Sequence, residues 1–175
     1  MILKNLFSTP LWKAAIPVNT NLLNAAGLVA QSQNYFDVDH FAIQELKDQI
    51  YNCIDLLAKD FGTSIEQFAV TARQNPIEPM GFDSPHNHTG AILVGVYYIQ
   101  VPPNSGDILL HDPRGVNINW PDPDIKSNER PFVRITPSAG DLLLFPGYLV
   151  HSVEPNLSNE TRISLAINVV DKLIK

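Results

Sequence analysis

His86 and His88 stand two apart in the stretch SPHNHTG, and His151 lies far downstream in LVHSV, just after the tight Phe145-Pro146-Gly147 turn. Neutral imidazoles suit iron, zinc, copper and nickel alike. In an extended segment, residues two apart project to the same side. A pair of this kind together with a distant third histidine could therefore share one ion. Eleven residues after His151 comes Arg162, followed by Ser164, in HSVEPNLSNETRISLAIN. A guanidinium inside a fold needs an anionic partner, and a dicarboxylate supplies one through two parallel hydrogen bonds. Each feature also has an ordinary structural explanation. An H-x-H pair is common on surfaces, a strand histidine is often a satisfied half-buried residue, and Arg162 fits a salt bridge at a strand end.

The elements that would position these residues fall into two unequal parts. Between residues 41 and 61 apolar side chains recur at Ile43, Leu46, Ile50, Ile54, Leu57 and Phe61, which predicts a helix with one buried stripe. Asp39 is the expected N-cap and Gly62 the expected stop. Residues 21–31 form a second helix candidate. From Val70 onward short β-rich runs alternate with Pro, Gly, Asn and Asp clusters, with runs at 91–101, 107–111, 132–136, 141–145, 148–153 and 162–170. This is the pattern of one mainly β, α+β domain covering residues 1–175. Its helical part spans about 20–62 and its barrel about 66–170, with the N-terminal helices packed on one sheet. The polar, proline-containing segment 112–130, DPRGVNINWPDPDIKSNER, breaks the rhythm. A long loop in a compact domain is usually a lid or a binding loop, and Trp120 and Arg114 are its candidates for reaching a substrate. The alternative is an ordinary surface loop stiffened by Pro121, Pro123 and Pro131.

In their order and spacing, PHNH, GVYYI, HDPR, SAGDLLLFPGYLVHSV and NLSNETRIS resemble the 2-oxoglutarate/Fe(II) oxygenase superfamily. More narrowly, the chain is similar to a family of bacterial and phage oxygenases that open with LF-x-TP, here Leu6-Phe7-Ser8-Thr9-Pro10. They carry H-x-H, GVYY, DPR, FP-x4-H and R-x-S in the same sequence. The resemblance implies a double-stranded β-helix, a jelly-roll or cupin-like barrel. It implies iron(II) on His86, His88 and His151, 2-oxoglutarate as cosubstrate, and dioxygen as oxidant, with hydroxylation as the outcome. Arg162, supported by Ser164, would hold the distal carboxylate of 2-oxoglutarate. Tyr98 resembles the tyrosine that prolyl hydroxylases aim at that carboxylate, which leaves Tyr97 facing outward. Asn75 aligns with a family asparagine near the site, and Asp112 and Arg114 sit where the lid leaves the barrel. The chain departs from the superfamily's H-x-D in having His88 at the carboxylate position, so Asp83 or Asp112 is an alternative source of an anionic ligand. The family tryptophan ahead of Asn75 is also absent.

Two other readings are open on the residues alone. A cupin enzyme not using 2-oxoglutarate would share the H-x-H pair and the third histidine. However, the residues after His88 contain no glutamate, and Arg162 and Ser164 would have no role in a cupin. A non-catalytic ligand-binding barrel is the third reading, because fold alone does not fix function. His40 and His111 are expected to be structural. The net charge of −6 and the absence of a basic run speak against nucleic acid as partner. Small molecules or protein side chains remain as substrate classes, and a homodimer is compatible. One cysteine, Cys53, no secretory leader pattern and no membrane-length apolar run lead to a cytoplasmic expectation.

Overall fold

The computed structural model describes residues 8–26, 34–114 and 132–173. Two helices precede most of the strands: α1 (Asn21–Ala26) and α2 (Phe41–Asp60). The strands are β1 (Trp12–Ala15), β2 (Phe68–Ile77), β3 (Asp83–His86), β4 (Leu93–Gln100), β5 (Ile108–His111), β6 (Phe132–Ile135), β7 (Asp141–Pro146), β8 (His151–Val153) and β9 (Arg162–Asp171). They form a five-stranded sheet in the order β1-β7-β4-β9-β2 and a four-stranded sheet in the order β3-β8-β5-β6. Every pairing is antiparallel. The chain passes from one sheet to the other after β2, β3, β4, β6, β7 and β8, an arrangement compatible with a jelly-roll.

Helix α2 forms because its apolar residues keep to one stripe, and that stripe meets the five-stranded sheet. Ala42, Ile43, Leu46, Ile50 and Ile54 pack with Tyr97, Ile99, Leu142, Leu144, Leu165, Ile167 and Val169 in one core. The helix stops at a Schellman motif. Gly62 lies at φ +72, its N–H donates to the Lys59 carbonyl, and the Thr63 N–H donates to the Ala58 carbonyl. The start differs from the sequence expectation. His40 and not Asp39 occupies the N-cap position, and no side chain caps it. Because His40 is half-buried, its ring stacks on Phe41 at 5.0 Å and does not turn towards the backbone. Of the second helix candidate, Asn21–Ala26 is helical, and the rest lies outside the described residues. The Leu6-Phe7 part of the opening motif is also outside them.

A second core lies on the other face of the large sheet, between it and the small one: Val94, Val96, Tyr98, Ile108, Leu110, Leu143, Phe145 and Leu149. Adjacent residues of a strand point to opposite faces, so Tyr97 and Tyr98 divide between the two cores. Tyr97 does face out of the space between the sheets, but into the helix-covered core and not into water. It is fully buried there, and its hydroxyl donates to the Ile16 carbonyl at 3.1 Å. The sequence pattern alone does not mark the boundaries of β1, β2 and β3. Strand β3 contains a proline and, among the described residues, is paired only with β8, as β1 is only with β7.

The turn between β7 and β8 fixes where β8 begins. Gly147 donates its N–H to the Ile92 carbonyl and accepts from the His88 N–H, so it is clamped between the two ends of the β3–β4 connection. A Cβ at Gly147 would stand 2.7 Å from the Ala91 carbonyl carbon and closer still to its oxygen. Gly147→Ala is therefore expected to lower stability by about 1–3 kcal/mol through overpacking. Urea titration of the variant would check this, and an unchanged midpoint would contradict the clamp.

Candidate metal centre

The three histidines singled out in the sequence come together between the sheets. His86 ends β3 and stands directly opposite His151, which begins β8. His88 follows β3 in the turn closed by the Ala91 N–H to His88 carbonyl hydrogen bond. It is therefore not a strand neighbour of His86, and the turn rather than strand alternation brings the two together. One potential ligand nitrogen from each ring lies within 4.8 Å of the others. The ring centroids are 4.4 Å apart for His86 and His151, 5.2 Å for His88 and His151, and 5.3 Å for His86 and His88. Access is graded: His151 is buried, His88 half-buried and His86 exposed.

The hydrogen bonds say which nitrogen is free. Nδ1 of His86 lies 2.8 Å from the Ser84 carbonyl, and Nδ1 of His151 lies 3.0 Å from the Leu149 carbonyl. Nδ1 of His88 bonds to the side-chain oxygen of Asn168 on β9. A carbonyl oxygen can only accept, so each Nδ1 carries a proton, and in the neutral imidazole Nε2 then keeps its lone pair. Metal-ligating histidines are held by this kind of contact to the far nitrogen. Phe145 adds an edge-to-face contact to His151 at 4.9 Å.

The remaining site candidates divide. Arg162, Ser164, Tyr98 and Asn75 gather on the large sheet's inner face, where Ser164 is the register partner of both Tyr98 and Asn75. Arg162 is 1% exposed, and its Nε and Nη1 have no hydrogen-bond partner among the described residues. The Tyr98 hydroxyl is equally orphaned, with the Arg162 guanidinium 5.1 Å from the centre of its ring. Burial pushes the Tyr98 phenol up to about 12, against the opposing pull of the Arg162 charge, so it stays a neutral donor. Ser164 makes only a long 3.5 Å contact to the Asn75 carbonyl. Buried donors without acceptors are rare and costly, and these have the chemistry to meet an anion.

Neither acidic alternative joins the histidines. Asp83 accepts from Asn75 Nδ2 at 2.8 Å, and Asp112 is held by Arg114 through two contacts of 2.9 and 2.7 Å. The Arg114 guanidinium lowers the Asp112 carboxyl below its ordinary range. His111 bonds to Ser152 and not to the cluster, on the opposite face of β5 from Leu110, the partner of His151. Trp120 and the proposed lid beyond Arg114 lie outside the described residues. Sequence reasoning missed Asn168. The signal was present: Arg162, Ser164 and Asn168 are polar residues at even positions of a strand whose odd positions from Ile163 to Val169 are apolar.

A family model described as "Putative 2OG-Fe(II) oxygenase" matches residues 74–168, more than half of the chain. The chain belongs to this 2OG-Fe(II) oxygenase family. All three histidines, Arg162, Ser164, Tyr98 and Asn168 fall within the matched residues, and iron and 2-oxoglutarate are the pair that defines the family. Among solved structures, the epimerase SnoN in complex with Fe3+, alpha ketoglutarate and nogalamycin RO matches at 17% identity. The match covers 92% of this chain and 78% of that one, with a TM-score of 0.61. A prolyl-4-hydroxylase from Pseudomonas putida matches at 14% identity over 94% of this chain and 89% of that one, TM-score 0.59. An oxidoreductase of the 2OG-Fe(II) oxygenase family from Burkholderia pseudomallei matches at 17% identity and TM-score 0.46. That alignment takes in 59% of this chain and 45% of the other, so the matched part spans about half of that relative. At these identities the likeness is one of fold. No curated protein matches in sequence. No helix among the described residues is long and apolar enough to cross a membrane.

Burial pushes the His151 imidazole down to about 4, outweighing the Leu149 carbonyl, which acts in the opposite direction. It thus stays neutral, the form a metal needs, well into acid. An unfolded chain protonates this residue near 6.5 and the folded chain not until about 4, so unfolding gains as pH falls across that interval. The metal-free protein is expected to lose roughly 2–3 kcal/mol there on this account. Urea midpoints at several pH values, compared with those of His151→Gln, would isolate that share. Equal slopes in the two proteins would contradict it.

Proposed function

We propose that this protein is a non-haem iron(II) oxygenase on a double-stranded β-helix, coupling oxidative decarboxylation of 2-oxoglutarate to hydroxylation of a substrate. The observation that carries the reading is the orphaned Arg162 guanidinium, buried on the inner face of the sheet whose β9 also holds the His88 ligand through Asn168. A metal site alone would not call for it. A buried cation with free donors calls for an anionic ligand, and the far carboxylate of 2-oxoglutarate matches a guanidinium's paired donors.

His86, His88 and His151 would hold iron(II) through Nε2. When bound, iron with 2-oxoglutarate and dioxygen supplies the oxidation that turns a substrate C–H into C–OH while the cosubstrate becomes succinate and carbon dioxide. The chain's own work is positioning and exclusion of water. Arg162 would bind the distal carboxylate through its free nitrogens, with the neutral Tyr98 hydroxyl and Ser164 donating beside it. Val94, Val96, Leu143 and Phe145 line the space between the sheets and keep it apolar. The exposed edge of His86 leaves the approach for a substrate open. A small molecule or a protein side chain is the substrate class in this reading, with Asp112 and Arg114 near its path. The protein is proposed to work in the cytoplasm.

One equivalent of iron(II) or cobalt(II) is expected to bind, with strong weakening in His86→Ala, His88→Ala and His151→Ala but not in His40→Ala. Calorimetric titration would test it, and equal binding by all four variants would remove the centre from these residues. 2-Oxoglutarate is expected to bind only in the presence of metal, and Arg162→Ala to weaken it by about 2–5 kcal/mol. Arg162→Lys keeps the charge and is expected to recover part of the loss. If Arg162→Ala binds the cosubstrate as wild type does, the residue serves the fold alone.

A further inference from the structure

We infer that Asn168 is a positioning residue of the metal centre, fixing the tautomer and ring angle of His88 and tying that ligand to the strand that carries Arg162. The inference rests on the three-histidine reading above.

The three ligands are not held alike. His86 and His151 each bond to a backbone carbonyl two residues earlier, Ser84 and Leu149, so their orientation follows from the local backbone whatever side chains lie around them. His88 lies beyond the end of β3, in a turn, and its Nδ1 depends on a side chain 80 residues away in sequence. Among the three contacts, only this one could be altered by a single substitution at the acceptor. Its chemistry is also directional. With the amide oxygen facing Nδ1, the imidazole proton sits there and Nε2 is free for a metal. An amide nitrogen in that place would reverse the bond, move the proton to Nε2 and block the ligand atom.

The position of Asn168 adds a second consequence. On β9 it shares a face with Arg162 and Ser164, because the three stand an even number of residues apart. Thr71 on one side and Val94 on the other are its register partners. One strand, paired along both edges, thus carries both the support of a metal ligand and the anion-binding arginine. The acceptors that meet the three Nδ1 atoms are all uncharged, so none of these three contacts would offset the charge of an ion held there. The identity of residue 168 is therefore a place where this chain sets the strength of the site.

Cobalt(II) binding gives a readout independent of turnover, through both affinity and the ligand-field absorption of the bound ion. Asn168→Ala and Asn168→Leu are expected to weaken cobalt(II) by ~10- to 100-fold and to change its absorption, with the metal-free melting temperature near wild type. Asn168→Asp presents only oxygens to Nδ1 and is expected to bind at least as tightly as wild type. Should Asn168→Leu fail to fold, the contrast between Asn168→Asp and Asn168→Ala decides. Wild-type affinity and absorption in Asn168→Ala, or binding by Asn168→Asp as weak as by Asn168→Ala, would overturn the role of Asn168 alone. Absence of cobalt(II) binding by the wild type, or binding untouched in His88→Ala, would overturn the metal reading itself and this inference with it.

Discussion

Strand β9 is hydrogen-bonded along both edges, to β2 and to β4, so it cannot twist or slip independently and its residues must alternate between two environments. Leu165, Ile167 and Val169 enter the core beneath α2. Arg162, Ser164 and Asn168 face the other way, towards the space between the sheets. A register slip of one residue would bury polar groups under the helix and point leucine and isoleucine at the histidines. The apolar stripe of α2 therefore does more than cover a sheet: by demanding the odd residues of β9, it delivers the even ones to the site.

The polar face so delivered is costly. Burying a guanidinium without a partner is among the least favourable arrangements a fold can contain, and here two of its nitrogens, together with the Tyr98 hydroxyl, lack acceptors among the described residues. Such a cost is usual where a site is pre-formed for a ligand. The surrounding structure is rigid enough to bear it. Tyr98 pairs with Ser164 of β9, and its neighbour Tyr97 is paired on both sides and held in the opposite core by a hydrogen bond to the Ile16 carbonyl.

The metal centre adds the second sheet to this scheme. His151 and His86 face each other across β8 and β3, and Gly147 brings the start of β8 against the turn that carries His88. Three imidazoles then converge without a carboxylate, since Asp83 and Asp112 are each engaged elsewhere. Charge balance at such a centre falls to whatever anion binds beside it. Arg162, proposed to bind that anion, and Asn168, proposed to support one metal ligand, share the single strand β9.

Residue types and periodicity determined a good deal. The three-and-four spacing of α2 fixed its buried face from Ile43 to Ile54, and Gly62 marked its end, because helix periodicity and the left-handed glycine stop are local properties; Phe61, expected on the same stripe, lies past the last turn and is exposed. The alternation in β4 and β9 separated Tyr98 from Tyr97 and placed Arg162 and Ser164 on one face. The choice of His86, His88 and His151 as a set came from motif order, and the structure brings those three together. What the sequence alone could not decide depends on contacts distant in the chain. The pairing of His86 with His151, the engagement of Asp83 by Asn75 and the acceptor at Asn168 all join segments separated by loops. Their distances are set by how two sheets face each other, and no local propensity encodes that. The helix start shows the same limit on a small scale. Asp39 has the better capping chemistry, yet His40 holds the position, because packing of the α2 stripe fixes where the first turn must begin.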